Sequence, residues 1–172
     1  ILNRTRSLYG VVCAIGYMGD DSTFTAAEET QKVLDVNFSG PVSILERCAS
    51  IMETGNGSFI VGISSVAGDR GRQSNYIYGA AKGGFSVYLQ GLRNRLHSRG
   101  IQVLTVKPGF VDTSMTYGLP GLFLVASPGD VGESVARSVG TRRNTLYTPW
   151  FWRYIMLLIS TIPEFLFKRL SL

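Results

Sequence analysis

A tyrosine and a lysine four residues apart, Tyr78 and Lys82, form the pair in this sequence best suited to proton transfer. On a helix this spacing puts both side chains on one face, with about 5–6 Å between their Cβ atoms. A nearby fixed cation favours the phenolate, so the spacing predicts a lowered pKa for Tyr78. Reduction of a carbonyl by hydride needs such an acid to protonate the developing alkoxide. The same spacing also fits a solvated lysine beside a core tyrosine, so the pair alone does not distinguish a catalytic from a structural role.

The elements that must position this pair alternate between strands and helices. Apolar runs predict strands, buried on both faces of a parallel sheet, at 9–15, 57–63 and 101–107, and a short last strand at 144–147. Helices are predicted at about 25–54 with a break near Gly40-Pro41, at about 75–97 closed by Gly100, and from an N-cap at Ser127-Pro128 to about Gly140. This alternation predicts an α/β fold with a doubly wound parallel sheet.

Two further segments follow predicted strands directly. Ser65 lies just past the second strand, thirteen residues before Tyr78, and Pro108-Gly109 follows the third strand. Ligands of such sheets bind at the carboxyl ends of the strands. The Ser65 hydroxyl is therefore placed to hydrogen-bond the same carbonyl oxygen that Tyr78 would protonate.

These pieces, in this order and on these elements, resemble the short-chain dehydrogenase/reductase family. The matching text is Ile63-Ser64-Ser65-Val66-Ala67-Gly68, Tyr78-x-x-x-Lys82 and Pro108-Gly109-Phe110-Val111-Asp112-Thr113. The match covers essentially the whole chain and corresponds to the last two-thirds of a family member. It implies a Rossmann-type fold, an NAD or NADP cofactor and a homodimer or homotetramer.

The resemblance also implies catalytic roles. Tyr78 would be the general acid/base, Lys82 would bind the nicotinamide ribose and tune Tyr78, and Ser65 would orient the substrate carbonyl. Asn37 matches an asparagine that holds a water in a proton relay to the lysine. The alternative for Asn37 is a helix-interior side chain that bonds a backbone carbonyl.

The cofactor-binding residues implied by the resemblance are Ala14, Gly16, Tyr78, Lys82, Pro108, Gly109, Val111 and Thr113. Val111 and Thr113 match positions that hold the nicotinamide carboxamide, with a turn or cap role as the alternative for Thr113. The family's Asn-Asn-Ala-Gly tetrad is Cys13-Ala14-Ile15-Gly16 here, so adenine-ribose contacts at this point would be backbone or apolar. The residues that choose between NAD and NADP follow the family's first two strands, which this sequence does not contain.

We expect residues 1–172 to be the C-terminal two-thirds of one Rossmann-type domain. The apolar strand at 9–15 needs a neighbour on each side, and no Gly-x-Gly-x-x-Gly turn follows a predicted strand. The expected fold is therefore a doubly wound sheet that lacks its first strands and its glycine-rich turn.

Residues 149–172 form an apolar C-terminal extension that gives information about the kind of substrate. Its aromatic start and its cations Lys168 and Arg169 fit either burial, within the subunit or in an oligomer, or an interfacial helix at lipid headgroups. Burial is favoured, because a short helix with apolar residues on all sides is usually buried. The ending Tyr147–Met156 and the loop Ser64–Arg72 resemble a bacterial branch close to decaprenylphosphoryl-2-keto-ribose reductases, which implies a lipid-linked ketosugar as substrate. A soluble 3-oxoacyl or small-ketone reductase, and a non-catalytic binding or regulatory protein, are the alternatives.

Composition excludes several other classes. The net charge of +5 comes from dispersed cations without a basic tract, so no nucleic-acid partner is predicted. Cys13 and Cys48 have neither metal-like spacing nor the number for a disulfide framework, which fits a reducing cytoplasm and predicts no metal site. No signal peptide is visible, and the apolar run at 154–162 is too short to span a bilayer. The expected location is cytoplasmic. The alternative is peripheral contact with the inner membrane surface through residues 150–172.

Overall fold

The computed structural model describes residues 8–19, 26–55, 57–117, 123–141 and 143–170. Four parallel strands form one sheet in the order β1 (Gly10–Cys13), β2 (Phe59–Ile63), β3 (Gln102–Pro108) and β4 (Thr145–Thr148). The helices are α1 (Ala27–Leu34), α2 (Gly40–Ile51), α3 (Tyr76–Leu96), α4 (Pro128–Ser138), α5 (Trp152–Thr161) and α6 (Glu164–Phe167). None of these helices is long and apolar enough to cross a membrane.

Helices cover both faces of the sheet, which confirms the predicted doubly wound architecture. Successive residues of β2 point to opposite faces. Ile60 packs with Leu45 of α2 and Leu89 of α3, whereas Val61 packs with Val135 of α4 in a second core cluster. The carboxyl ends of all four strands consequently meet at one edge, between the two helical layers.

β1 is shorter and more exposed than the sequence predicts. It covers Gly10–Cys13 rather than 9–15, and it pairs only with β2 among the described residues. Cys13 is buried under α2, but Val12 is 54% exposed. The predicted burial of this strand on both faces is therefore wrong within the described residues, because α4 packs against β3 and β4 and leaves Val12 open.

The predicted helix at 25–54 is continuous through its expected break. A π-helical turn, Asp35–Ser39, joins α1 to α2, and Pro41, which has no N–H to donate, follows this turn closely. A Cβ on Gly40 would lie 2.9 Å from the Asp35 carbonyl oxygen, so this turn needs a glycine. The predicted start at residue 25 lies outside the described residues, and the helix ends at Ile51 rather than at residue 54.

The other helix boundaries follow the predicted signals closely. α3 ends in a 3-10 turn and then Gly100 at φ 68°, as predicted. The Ser127 hydroxyl caps α4 by accepting from the Asp130 N–H at 3.1 Å, with Pro128 in the first turn.

The C-terminal extension is buried on one face only. Trp152 and Met156 of α5 pack against Val66, and Phe167 of α6 is also buried. The opposite side of the same segment exposes Leu157 and Leu158, which are 63% and 69% exposed. Burial within the subunit is therefore observed for one face of α5, and burial of the other face in an oligomer stays a prediction.

Candidate active site

A cleft of about 840 Å³ opens at the carboxyl ends of the strands. Nine of the ten predicted site residues line it, namely Ser65, Tyr78, Lys82, Ala14, Gly16, Pro108, Gly109, Val111 and Thr113. Asn37 is the exception, since it lies buried behind the wall of the cleft. The structure thus brings residues from the ends of β1, β2 and β3 and from α3 to one place.

Close backbone contacts bring the Ser65 loop onto α3. A Cβ on Gly68 would lie 2.6 Å from the backbone nitrogen of Gly83, and a Cβ on Gly79 would lie 2.8 Å from the Ala67 carbonyl oxygen. Only glycine permits this approach without a shift of the backbone. Ser65 caps the intervening 3-10 turn, its hydroxyl oxygen accepting from the Ala67 N–H at 3.1 Å.

Lys82 is a buried cation held by backbone carbonyls. Its side chain is on α3, the residue is 2% exposed, and Nζ donates to the carbonyl oxygens of Ile15 and Ile63 at 3.1 Å each. Burial lowers the pKa of Lys82 to about 8. An ammonium has three donors, so two carbonyls leave one N–H of Lys82 for a ligand in the cleft.

Tyr78 lies one turn before Lys82, with Nζ 5.8 Å from the centroid of its ring. Burial raises the pKa of the Tyr78 phenol, and the Ser65 side chain acts in the opposite direction. The sequence predicts a lowered pKa instead. The difference arises because the phenol is desolvated, whereas the Lys82 ammonium is directed at backbone carbonyls.

The Asn37 side chain fixes the segment that follows β1. Its Nδ2 donates to the carbonyl oxygens of Tyr17 and Val33 at 2.5 and 2.7 Å, and its Oδ1 accepts from the Tyr17 N–H at 3.1 Å. The bond to Val33 is the backbone-carbonyl contact that the alternative interpretation predicts. A Cβ on Gly16 would lie 3.5 Å from both Asn37 Oδ1 and Lys82 Nζ. Asn37 and Lys82 therefore flank the same glycine.

The segment after β3 forms the opposite wall of the cleft. A Cβ on Gly109 would lie 1.9 Å from Nε1 of Trp152, so the indole of α5 packs directly on this backbone. The Thr116 hydroxyl donates to the Val111 carbonyl oxygen at 2.5 Å, and the Thr113 hydroxyl lies 3.5 Å from that oxygen. The Thr113 hydroxyl is thus weakly held in a turn at the rim.

Sequence reasoning missed two contributors to this site. Arg72 and Asn75 line the cleft, and each has a buried polar atom, Nε and Oδ1, without a hydrogen bond among the described residues. The position of Arg72 between two predicted site residues, Ser65 and Tyr78, is the sequence signal that indicates its place in the cleft. Asn75 directly precedes α3 but does not cap it through its side chain.

Comparison with known proteins identifies the family of the chain. Residues 2–120 match the family described as short chain dehydrogenase. The chain belongs to this family. An uncharacterised oxidoreductase of Mycobacterium tuberculosis is 34% identical over 161 residues, which are 92% of this chain and 64% of that protein. The chain thus spans just under two thirds of the length of this relative.

Solved structures of other short-chain dehydrogenases share the fold. A 3-oxoacyl-[acyl-carrier protein] reductase from Brucella melitensis, in complex with NAD, matches with a TM-score of 0.73 and 26% identity, covering 85% of this chain and 67% of that one. A short chain dehydrogenase from Burkholderia cenocepacia, in complex with NADP, matches with a TM-score of 0.82 over 99% of this chain and 74% of that one. Its 17% identity supports the fold alone.

Proposed function

We propose that the protein reduces a carbonyl to an alcohol with NADH or NADPH, using Ser65, Tyr78 and Lys82. The observation that carries this proposal is the buried Tyr78–Lys82 pair lining one cleft with Ser65. Membership of the short-chain dehydrogenase family supports it. A binding or regulatory protein without turnover is less well supported, because it has no need of a phenol beside a serine and an ammonium that keeps one free N–H donor.

The residues around the cleft fit a nicotinamide cofactor. Lys82 keeps one N–H donor that its two carbonyl partners do not use, and this donor would bind the nicotinamide ribose. Val111 and Thr113 would hold the carboxamide, with Pro108 and Gly109 beneath it, and Ala14 and Gly16 would contact the adenine ribose through backbone. When bound, the reduced nicotinamide supplies the hydride.

The proton would come from Tyr78. Because burial raises the pKa of this phenol, it is protonated at neutral pH and can act as an acid. The Ser65 hydroxyl would donate to the substrate carbonyl and hold it against Tyr78. Lys82, with a pKa of about 8, is still largely protonated at neutral pH and would stabilise the phenolate once the proton has left. Both amide hydrogens of Asn37 are bonded to backbone carbonyls, so a relay water between Asn37 and Lys82 would have to donate to the Asn37 Oδ1.

Isotope transfer tests this proposal directly. The full-length protein is incubated with ethyl acetoacetate and NADH or NADPH that carries deuterium in place of both hydrogens at nicotinamide C4, and the alcohol is examined by mass spectrometry. Deuterium on the carbinol carbon is the expected result. An alcohol without deuterium, or no alcohol with either cofactor, would exclude hydride transfer to this substrate class. The rates with the two cofactors also decide between NAD and NADP.

The exposed face of the C-terminal extension favours a membrane-borne substrate as a second, more specific candidate. Large apolar side chains are exposed along this face at Trp150, Tyr154, Leu157, Leu158, Phe165, Leu166 and Leu170. Large exposed apolar side chains concentrated in one segment are typical of an interaction site. Trp152, on the buried side of α5, packs on Gly109, which lines the cleft, so α5 lies beside the wall of the cleft.

We propose an anionic lipid surface as the partner of this face. Exposed cations accompany the apolar side chains at Arg153, Lys168 and Arg169. The carboxylate of Glu164, in the same segment, is paired with Arg70 at 2.6 Å. A second copy would bring like charges together in a two-fold contact, whereas anionic headgroups attract them. A lipid-linked ketosugar would then be the substrate, with a soluble 3-oxoacyl compound or small ketone as the alternative.

Vesicle co-sedimentation separates these substrates. The full-length protein should bind vesicles of phosphatidylglycerol more than vesicles of phosphatidylcholine, and more strongly at low salt. The double variant Leu157→Glu/Leu158→Glu should lose this binding, while Val87→Glu, at a 66% exposed valine of α3, should keep it. Equal binding by both variants would remove the support for a membrane-borne substrate. The cytoplasmic location and the homodimer or homotetramer stay predictions.

A further inference from the structure

Arg72 is a cation of the cleft that the proposed mechanism does not use. Among the described residues that line the cleft, the positive charges are Lys82 and Arg72, and none of these lining residues is an aspartate or glutamate. Lys82 is already assigned to the cofactor and to Tyr78. The second charge therefore needs a separate explanation.

The Arg72 guanidinium has no partner within the described part of the chain. Its Nε is buried without a hydrogen bond, and no ion pair is formed. Asp69, the acidic residue nearest in sequence, is instead bonded to Lys107 and to the Tyr147 hydroxyl. Burial lowers the pKa of Arg72, as expected for a desolvated cation. Arg72 is only partly buried, so its guanidinium is accessible to a ligand that would supply the missing partner.

The start of α3 adds a second positive feature to the same region. Asn75 precedes this 21-residue helix, lines the cleft and forms no side-chain cap. The positive end of the helix dipole is therefore not offset by a capping side chain. Arg72 lies three residues before Asn75, and Tyr78 lies three residues after it.

We propose that Arg72 binds a carboxylate or phosphate group of the substrate, so that the protein acts on anionic carbonyl compounds. A guanidinium fork matches both oxyanions with two parallel N–H donors. The inference rests on the proposed function for the position of the carbonyl beside Tyr78, and it adds the substrate class. The anion would orient the substrate along the loop that joins Ser65 to α3.

Calorimetric titration with matched ligand pairs tests this assignment. The full-length protein, with and without saturating oxidised cofactor, is titrated with acetoacetate against ethyl acetoacetate, and with dihydroxyacetone phosphate against dihydroxyacetone. The anionic member of at least one pair should bind about tenfold more tightly or better. The pair with the larger preference tells carboxylate from phosphate.

Variants of Arg72 then test whether this residue causes the preference for the anionic ligand. Arg72→Gln should abolish it with little change in affinity for the neutral ligands, and Arg72→Lys should keep part of it. If Arg72→Gln does not fold, the reduced preference in Arg72→Lys carries the test. The control is Arg95→Gln, because Arg95 is exposed and paired with Glu46 at 2.8 Å.

Two results would overturn the assignment, namely equal affinities within both pairs in the unmodified protein, or a preference that survives Arg72→Gln in full. Absence of hydride transfer to both acetoacetate and ethyl acetoacetate in the isotope experiment would overturn the proposed function and leave these binding preferences readable.

Discussion

Two tyrosine–lysine pairs lie at the carboxyl edge of the sheet with nearly the same spacing. In the first, Lys82 Nζ is 5.8 Å from the Tyr78 ring centroid, and in the second, Lys107 Nζ is 5.5 Å from the Tyr147 ring centroid. The first pair lies on one helix face, whereas the second joins register partners of β3 and β4. Residue type and distance alone therefore do not distinguish a site for proton transfer from a structural contact.

The difference between the pairs is a carboxylate. Lys107 is bonded to Asp69, and the Tyr147 hydroxyl donates to the same carboxylate at 2.9 Å. Burial and this hydrogen bond raise the pKa of Tyr147 far above its ordinary value. Lys82 has only backbone carbonyls as partners, and its pKa falls to about 8. The pair with a carboxylate is satisfied and fixes structure, while the pair without one keeps donors for ligands.

The largest expected effect is a difference in kcat between variants of Tyr78 and of Tyr147. Tyr78→Phe in the full-length protein should lower kcat for carbonyl reduction by about 10²–10⁴-fold, because it removes the proton donor, with cofactor affinity largely retained. Tyr147→Phe is the matched control, and its kcat should stay within the same order of magnitude. Steady-state kinetics and cofactor titration measure both. Near-normal turnover of Tyr78→Phe would show that the comparison assigns the chemistry to the wrong pair.

The next largest effect is on the free energy of unfolding, and it concerns the Lys107–Tyr147 pair. Asp69→Asn leaves the Lys107 ammonium without its carboxylate, with both side chains only 11–12% exposed. Removing one partner of a buried pair costs about 3–5 kcal/mol, and we expect the free energy of unfolding in urea to fall by this amount. Asp112→Asn, at an exposed aspartate, should change little. A loss no larger than that of the control would mean that the second pair does not fix the structure.

Much of the fold and of the cleft could be predicted from sequence because local signals determine them. Gly100, Ser127 and Pro128 each act through backbone geometry near their own position, and the predicted helix ends there match the structure. The strand order along the chain also placed Ser65 and Gly109 at one edge.

The electrostatic details could not be predicted, because they depend on contacts distant in sequence. The pKa of Tyr78 depends on desolvation by the packed loop, not only on Lys82 four residues away. Likewise, Arg72 has no ion pair among the described residues, whereas Asp69 bonds Lys107 on β3, and this contact cannot be predicted from the local sequence. The exposure of Leu157 similarly depends on which side of α5 meets Val66.

A smaller effect sharpens the comparison through pH. The pKa of Lys82 is about 8 in the folded state against an ordinary value of 10.5, so between these values the unfolded chain binds more protons. Stability should therefore rise with pH in this window, by about 2 kcal/mol between about pH 8 and about pH 9.5. Urea unfolding of Lys82→Met should lack this rise, and Lys168→Met, at an exposed lysine, should retain it. Identical pH slopes in all three proteins would contradict the desolvation of Lys82.

The smallest effect is expected at the outer end of the same loop. Arg70 pairs with Glu164 at 2.6 Å, but the two side chains are 22% and 74% exposed, unlike the Asp69–Lys107 pair. Arg70 also lies over the Phe167 ring, 4.3 Å from its centroid, and this contact does not need the carboxylate. Glu164→Gln should therefore cost less than about 1 kcal/mol in urea unfolding, with the loss shrinking at high salt. A loss as large as that of Asp69→Asn would show that the carboxylate, rather than the buried ring, holds α6 against the Ser65 loop.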